Sequence, residues 1–330
     1  WVDPHRILLN RQGEAVSLLL ANVLGLDRGK LSRIINQPDR YFEYIKRNVN
    51  GDQIEKLQRM KIRGVYLEDT NMRYYPHGSM LCHVLGFTSR FGESFYGIEQ
   101  RYHGRLKGRS GLQVSLKDAR NIEFYGHRKI PKLPEEGCTI ELTIDLQVQY
   151  LVEEVLKEVI VASQAQGAWA VVQEVKTGRI LAMASHPYFD PNTYQRGSTE
   201  EYLNRVIGYT YEPGSTMKAM IFAAALNEQV IDKNALVDCE NGCWYYRNRP
   251  LRDYHAYGML SMEDVLKKSS NIGTAKIALL LGEERLENYL RSFGIGSRTG
   301  IDLPREEPGI FWPRRKWDGL SISRIPMGHG

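Results

Sequence analysis

The stretch Tyr211-Glu212-Pro213-Gly214-Ser215-Thr216-Met217-Lys218 constrains this chain more than any other. Pro213 and Gly214 end an extended approach and permit a sharp turn. Beyond them Thr216, Met217, Lys218, Ala219, Met220, Ile221, Phe222 and the run 223–226 predict an apolar helix. Ser215 then stands at a helix N-terminus, where unpaired N–H groups and the positive end of the macrodipole favour negative charge on its oxygen and on an oxyanion beside it. Lys218, three residues on, lies on the same face, so its amine can reach the serine hydroxyl. A lysine enclosed by apolar neighbours sheds its proton readily, and can activate a serine that is otherwise a poor nucleophile. On its own, Ser-x-x-Lys also fits an N-cap serine beside a solvated lysine, a pattern expected about once by chance in a chain this long.

The length of 330 residues allows two domains with real cores, and 42% hydrophobic with 25% charged residues is ordinary for globular protein. A net charge of +5 from 44 basic and 39 acidic residues suits an anionic wall polymer or membrane surface, and is too small and too evenly spread for nucleic acid. No stretch reaches the ~20 apolar residues of a membrane span or has the parts of a signal peptide. Trp1-Val2-Asp3-Pro4 reads as the interior of a fold, so an N-terminal anchor is expected ahead of it. Cys82, Cys138, Cys239 and Cys243 are too few for a disulfide scaffold. Cys239 and Cys243 could close a small loop in an oxidising compartment, but buried or free thiols fit better. The eight histidines show no paired spacing with these cysteines, so neither metal nor cofactor is expected.

Residues 1–137 are charged, aromatic and broken by turns. Helical patterns at 15–24 and 53–60 alternate with extended pieces at 65–67 and 73–76. Nothing there pairs a nucleophile with a base, and His83 and His103 read as structural or exposed. This half is expected to be a non-catalytic platform. Pro131-Lys132-Leu133-Pro134-Glu135-Glu136-Gly137 reads as an interdomain connector. Next come an extended run at 138–144, Asp145 as N-cap, and Val148, Leu151, Val152, Val155, Leu156 and Val159 at helical spacing, one apolar face that must pack on something. Residues 168–175 and 179–184 are strand-like and joined by Lys176-Thr177-Gly178, a hairpin signal. A long helix on an antiparallel sheet makes residues 138–330 an α+β domain.

A second box lies in 261–281. Ser261-Met262-Glu263-Asp264 resembles a capping box, and the short helix it opens runs into Lys267-Lys268-Ser269-Ser270-Asn271 and the apolar helix 272–281. Ser269 and Asn271 can point into one cleft, a hydroxyl to relay a proton and an amide to hold a peptide. Read alone, Ser-Ser-Asn is also an ordinary helix-break turn. Taken together, Glu212 to Lys218 and Ser269 to Asn271 resemble the active site of the penicillin-binding proteins, the serine transpeptidases that cross-link bacterial peptidoglycan. The resemblance runs through the chain: Arg73-Tyr74-Tyr75-Pro76, Gly97-Ile98-Glu99, Lys117-Asp118-Ala119, Leu142-Thr143-Ile144-Asp145, Ala184-Ser185-His186-Pro187 and Thr299-Gly300-Ile301-Asp302-Leu303-Pro304 are similar to signposts of the class B, monofunctional members. Glu212 to Lys218 is nearer the septal than the elongation branch.

The resemblance implies that Ser215 attacks the carbonyl between two terminal D-alanines, Lys218 takes its proton, Ser269 relays a proton to the leaving D-alanine and Asn271 holds the substrate amide. It implies stem peptides and β-lactams as ligands. It also implies a glycosyltransferase and division-complex membrane proteins as partners, and a single-pass anchor placing the catalytic domain outside the cytoplasmic membrane. The family's third box, Lys-Thr-Gly or a variant, belongs well beyond Ser-x-Asn, and Lys176-Thr177-Gly178 has its letters in the wrong order of boxes. It is expected to be an exposed turn, so the transpeptidase domain is expected to be incomplete at its C-terminus and inactive as these residues alone. Two alternatives stand beside the enzyme: a non-catalytic scaffold for division proteins, and a β-lactam sensor or hydrolase of the same fold.

Overall fold

The computed structural model describes residues 1–70, 72–114, 116 and 129–329, so Lys117-Asp118-Ala119 lies outside the described residues. The chain forms two compact units. One comprises Trp1–Gly78, Phe87–Phe95 and His103–Cys138, and the other Ser79–Gly86, Tyr96–Tyr102 and Thr139–Gly330.

In the first unit, helices α1 (Gly13–Leu24), α2 (Arg28–Ile35) and α3 (Gly51–Met60) bury Val16, Leu20, Leu31, Ile35 and Leu57 around Val2 and Ile7. Their ends follow from the sequence. Gly25 closes α1 in the left-handed region, the Asp27 side chain accepts from the Lys30 N–H, and Asn50 with Gln53 forms a capping box. The extended pieces expected here do not become strands. Val65 makes a single bridge to Val2, and 73–76 forms no strand, Tyr75 being buried.

The second unit is built of helices and antiparallel pairs. Asp145 caps α4 (Leu146–Ser163) by accepting from the Gln147 and Val148 N–H groups. Strands β1 (Ala168–Gln173) and β2 (Ile180–His186) pair antiparallel, Ala168 opposite His186 and Val172 opposite Ala182. Lys176-Thr177-Gly178 is their exposed connection, with Gly178 at φ 76° and Thr177 bonded to Glu174. The outer edge of β2 is covered. The Leu181 carbonyl accepts from the Asp145 N–H at 2.9 Å, and the Ile180 carbonyl accepts from Thr143 Oγ1 at 2.6 Å. Gln149, fully buried on α4, exchanges both amide groups with Met183 at 2.8 and 3.0 Å.

That exchange corrects one expectation. The apolar stripe of α4 does not pack as a whole: the helix docks through Gln149, and Leu151, Val155 and Val159 stay exposed. The β2 edge presents polar groups, and a glutamine satisfies them where a valine cannot. His83 is structural: its Nε2–H donates to the Glu201 carbonyl at 2.8 Å, and burial pushes its pKa down to about 4. Burial likewise pushes the Cys82 thiol up to about 12.

The rest of this unit is organised around α5 (Lys218–Asn227), which is apolar on all sides. On one side Ile221 and Ala224 meet Ala278 and Leu281; on the other Phe222 and Ala225 meet Val265 and Ile277. The partners belong to α6 (Met262–Lys267) and α7 (Asn271–Leu281), and Leu286 and Leu290 of α8 (Glu283–Ser292) join the first cluster. Two short pairs flank them, β3 (Leu236–Asp238) with β6 (Met259–Ser261), and β4 (Cys243–Tyr246) with β5 (Arg249–Arg252). Cys239 is a buried free thiol and Cys243 an exposed one. No described helix is long and apolar enough to cross a membrane.

Gln149→Leu strips two backbone groups of Met183 of their partners, at a cost of about 2–4 kcal/mol. Its thermal unfolding midpoint is expected to fall clearly below that of the parent protein. An unchanged midpoint would show that the β2 edge is satisfied some other way.

Candidate active site

The helix of the first box starts later than its sequence suggests. Gly214–Met217 forms a 3₁₀ turn, and the α-helix begins at Lys218, whose N–H donates to the Ser215 carbonyl. Gly214 at φ 61° makes the turn, and Thr216 Oγ1 donates to the Pro213 carbonyl at 2.7 Å. Ser215 is therefore displayed on the surface one turn ahead of the lysine. Its hydroxyl makes no hydrogen bond among the described residues, to Lys218 or otherwise.

Lys218 points inward and is only 1% exposed. Its amine meets three oxygens: the Ser269 carbonyl at 2.6 Å, Asn271 Oδ1 at 2.8 Å and Ser269 Oγ at 3.0 Å. The structure thus joins Lys218, Ser269 and Asn271 by direct contact and leaves Ser215 beside them without one. The two carbonyl-type oxygens can only accept, so they fix two N–H groups. The hydroxyl can either accept the third proton of an ammonium or donate to the lone pair of an amine. The lysine can consequently change protonation without losing a contact. Burial lowers its pKa to about 8 from an ordinary 10.5, against an opposing pull from the Asp253 carboxylate.

Local backbone geometry delivers Ser269. Helix α6 ends in a left-handed residue, with the Ser269 N–H donating to the Leu266 carbonyl at 3.0 Å and the Ser270 N–H to Val265 at 2.9 Å. This is a Schellman ending, a place glycine normally takes. Here Ser269 takes it at φ 55°, a conformation costing a residue with a Cβ about 1 kcal/mol. The strain places both its hydroxyl and its carbonyl on the lysine. Asn271 opens α7, and its Nδ2 donates to the Arg252 carbonyl at 2.9 Å, which turns Oδ1 toward the amine.

Three residues at the site carry no sequence signal. Asp253 accepts from the N–H groups of Asn271 at 2.5 Å and Ile272 at 3.0 Å, and from Ser270 Oγ at 2.5 Å. Gly328 lies against the Ser215 turn so closely that a methyl group there would stand 2.3 Å from the Gly214 nitrogen. His329 Nδ1 donates to the Glu212 carboxylate at 2.8 Å. No run of residue types links these positions to 212–218 or 269–271. A cluster of three or more metal-ligating side chains is absent among the described residues.

The sequence matches two family models, "Penicillin-binding Protein dimerisation domain" over residues 8–142 and "Penicillin binding protein transpeptidase domain" over residues 168–330. It is similar to peptidoglycan D,D-transpeptidase FtsI of Escherichia coli strain K12, with 30% identity over 339 residues covering all of this chain and 56% of that protein. It is also similar to stage V sporulation protein D of Bacillus subtilis strain 168, at 32% over 287 residues, 86% of this chain and 44% of that protein. Among solved structures, a peptidoglycan synthetase from Bifidobacterium adolescentis superposes with a TM-score of 0.73 at 28% identity, covering 96% of this chain and 58% of that one. The chain spans about half the length of the curated relatives it matches.

The protonation state of Lys218 is directly measurable. With lysine labelled in its side chain with ¹³C, one resonance is expected to titrate near pH 8 and to be missing from Lys218→Met. A protein in which every lysine titrates at roughly 10 or above would contradict it.

Proposed function

The chain belongs to the penicillin-binding proteins, with a dimerisation domain followed by a transpeptidase domain, and from that premise we propose a serine D,D-transpeptidase that cross-links peptidoglycan stem peptides. The observation that carries this reading is the buried Lys218 amine, bound to Ser269 and Asn271 one turn from an exposed serine hydroxyl.

In this reading Ser215 Oγ attacks the carbonyl carbon of the bond between two terminal D-alanines as its proton passes to neutral Lys218. The Ser215 N–H supplies one donor to the tetrahedral oxyanion, a kind of contact whose loss costs about a hundredfold or more in rate. The C–N bond breaks as the leaving D-alanine nitrogen takes a proton from Lys218 by way of Ser269 Oγ. Asn271 holds the substrate amide. The amine of a neighbouring stem peptide then attacks the acyl-enzyme, forms the cross-link and returns Ser215 to its hydroxyl form. A β-lactam acylates the same serine because it mimics the D-Ala-D-Ala terminus. The lowered proton affinity of Lys218 is what makes the first transfer feasible near neutral pH.

We assign residues 1–137 to a non-catalytic pedestal and 138–330 to the transpeptidase domain. The setting this reading calls for is a membrane-anchored enzyme facing the cell wall during septum formation, working beside a glycosyltransferase and division-complex membrane proteins.

Labelling with a fluorescent penicillin tests the proposal in the protein expressed from its complete coding sequence. A stable label is expected on the parent protein and none on Ser215→Ala. Label that is rapidly released would favour a hydrolase, and a parent protein that takes up none would favour a scaffold.

A further inference from the structure

The Ser-Ser-Asn segment is held from outside by one carboxylate. Asp253 follows β5, its own N–H donating to the Gly242 carbonyl at 3.2 Å. Its side chain then takes the first two N–H groups of α7, those of Asn271 and Ile272, with one oxygen, and the Ser270 hydroxyl with the other. Ser270 caps the same helix through the Gly273 N–H at 2.9 Å. A carboxylate is well placed there, since free N–H groups and the helix dipole both favour negative charge. Its position has a second effect. The residue it grips, Asn271, is the one whose side-chain oxygen accepts from the Lys218 amine. The amine has no carboxylate in direct contact; its three partners are neutral oxygens.

We propose that Asp253 is a positioning residue of this site, holding Ser269 and Asn271 in register with Lys218 and supplying the negative charge that stabilises the lysine once it has accepted the proton of Ser215. This rests on the reading of Ser215 as nucleophile. The arrangement resembles a serine triad in one respect: an acid that neither gives nor takes a proton stabilises the cationic form of the base, here while holding the base's partners instead of the base. Of the other charged groups on elements packed around α5, four have partners of their own away from the amine. Lys276 on α7 pairs with Glu240, Arg285 on α8 with Glu228, Asp264 on α6 accepts from Ser261, and Arg324 donates to the Pro250 carbonyl. The Asp253 carboxylate raises the lysine's proton affinity against the effect of burial.

Asp253→Asn separates holding from charge. The amide oxygen can still accept from the Asn271 and Ile272 N–H groups. Its NH₂ can donate to Ser270 Oγ, whose proton is free to turn to Cys239 Sγ at 3.3 Å. Removing the anion destabilises the ammonium, so the neutral amine is reached at lower pH. The rate of acylation by a fluorescent penicillin, followed against pH in the protein from its complete coding sequence, is expected to rise with a midpoint roughly half a unit or more below that of the parent. The plateau should be several-fold lower, because a weaker base accepts the serine proton less readily. Asp253→Ala, which releases the helix terminus as well, should lower the plateau further. Coincident midpoints for parent and Asp253→Asn would overturn the electrostatic role, and a parental plateau in Asp253→Ala would overturn the holding role. Label on Ser215→Ala equal to the parent would instead remove the nucleophile assignment on which this inference rests.

Discussion

A lysine amine enclosed by protein and held by three oxygens is the interaction on which the second unit turns. Lys218 exposes almost none of its surface, and an ammonium so placed gives up hydration worth several kcal/mol. Three hydrogen bonds compensate without supplying a counter-charge in contact, so burial wins and the pKa falls to about 8. An amine balanced in this way gains and loses a proton near neutral pH. That balance lives in packing: α5 is enclosed on both sides by α6, α7 and α8, and Ala224 and Ala278 let two of these helices approach closely.

The backbone around the amine shows the same demand. Ser269 occupies a left-handed helix ending that glycine would fill without strain. A glycine would leave the carbonyl on the lysine and remove the hydroxyl, the one partner able to donate as well as accept. Strain of about 1 kcal/mol at this residue is thus coupled to the group that can move a proton. Asn271 is similarly determined, its amide turned by the Arg252 carbonyl on one side and its N–H fixed by Asp253 on the other.

Much of this was legible in the sequence because it is local. The helix after Asp145, the hairpin around Lys176-Thr177-Gly178, the cap at Ser261 and the apolar runs of α5 and α7 all follow from spacing, caps and turn residues. Two short boxes point to Lys218, Ser269 and Asn271, which the fold brings into contact, and to Ser215, which it leaves without one. What was not legible depends on groups that no pattern connects. Asp253 works on backbone N–H groups eighteen and nineteen residues away, which any residue types would offer. The 3₁₀ turn before α5 arises where Gly328 crowds Gly214, a contact across more than a hundred residues. The α4 stripe misled because valine spacing records apolarity and not the polar edge of β2, which Gln149 answers from that helix. Nor does any periodicity reveal that Ser79–Gly86 and Tyr96–Tyr102 are built into the second unit.

The proposed role of Lys218 as the base for Ser215 is examined most directly by replacing its amine with a side chain of similar shape. Methionine can fill the same space but can neither accept nor return a proton. For folded Lys218→Met, compared with the parent at a pH where the parent's lysine is neutral, the second-order rate constant of acylation by benzylpenicillin is expected to fall by about 10²–10⁴, the usual worth of a positioned general base. A folded Lys218→Met protein acylated as fast as the parent would contradict the account.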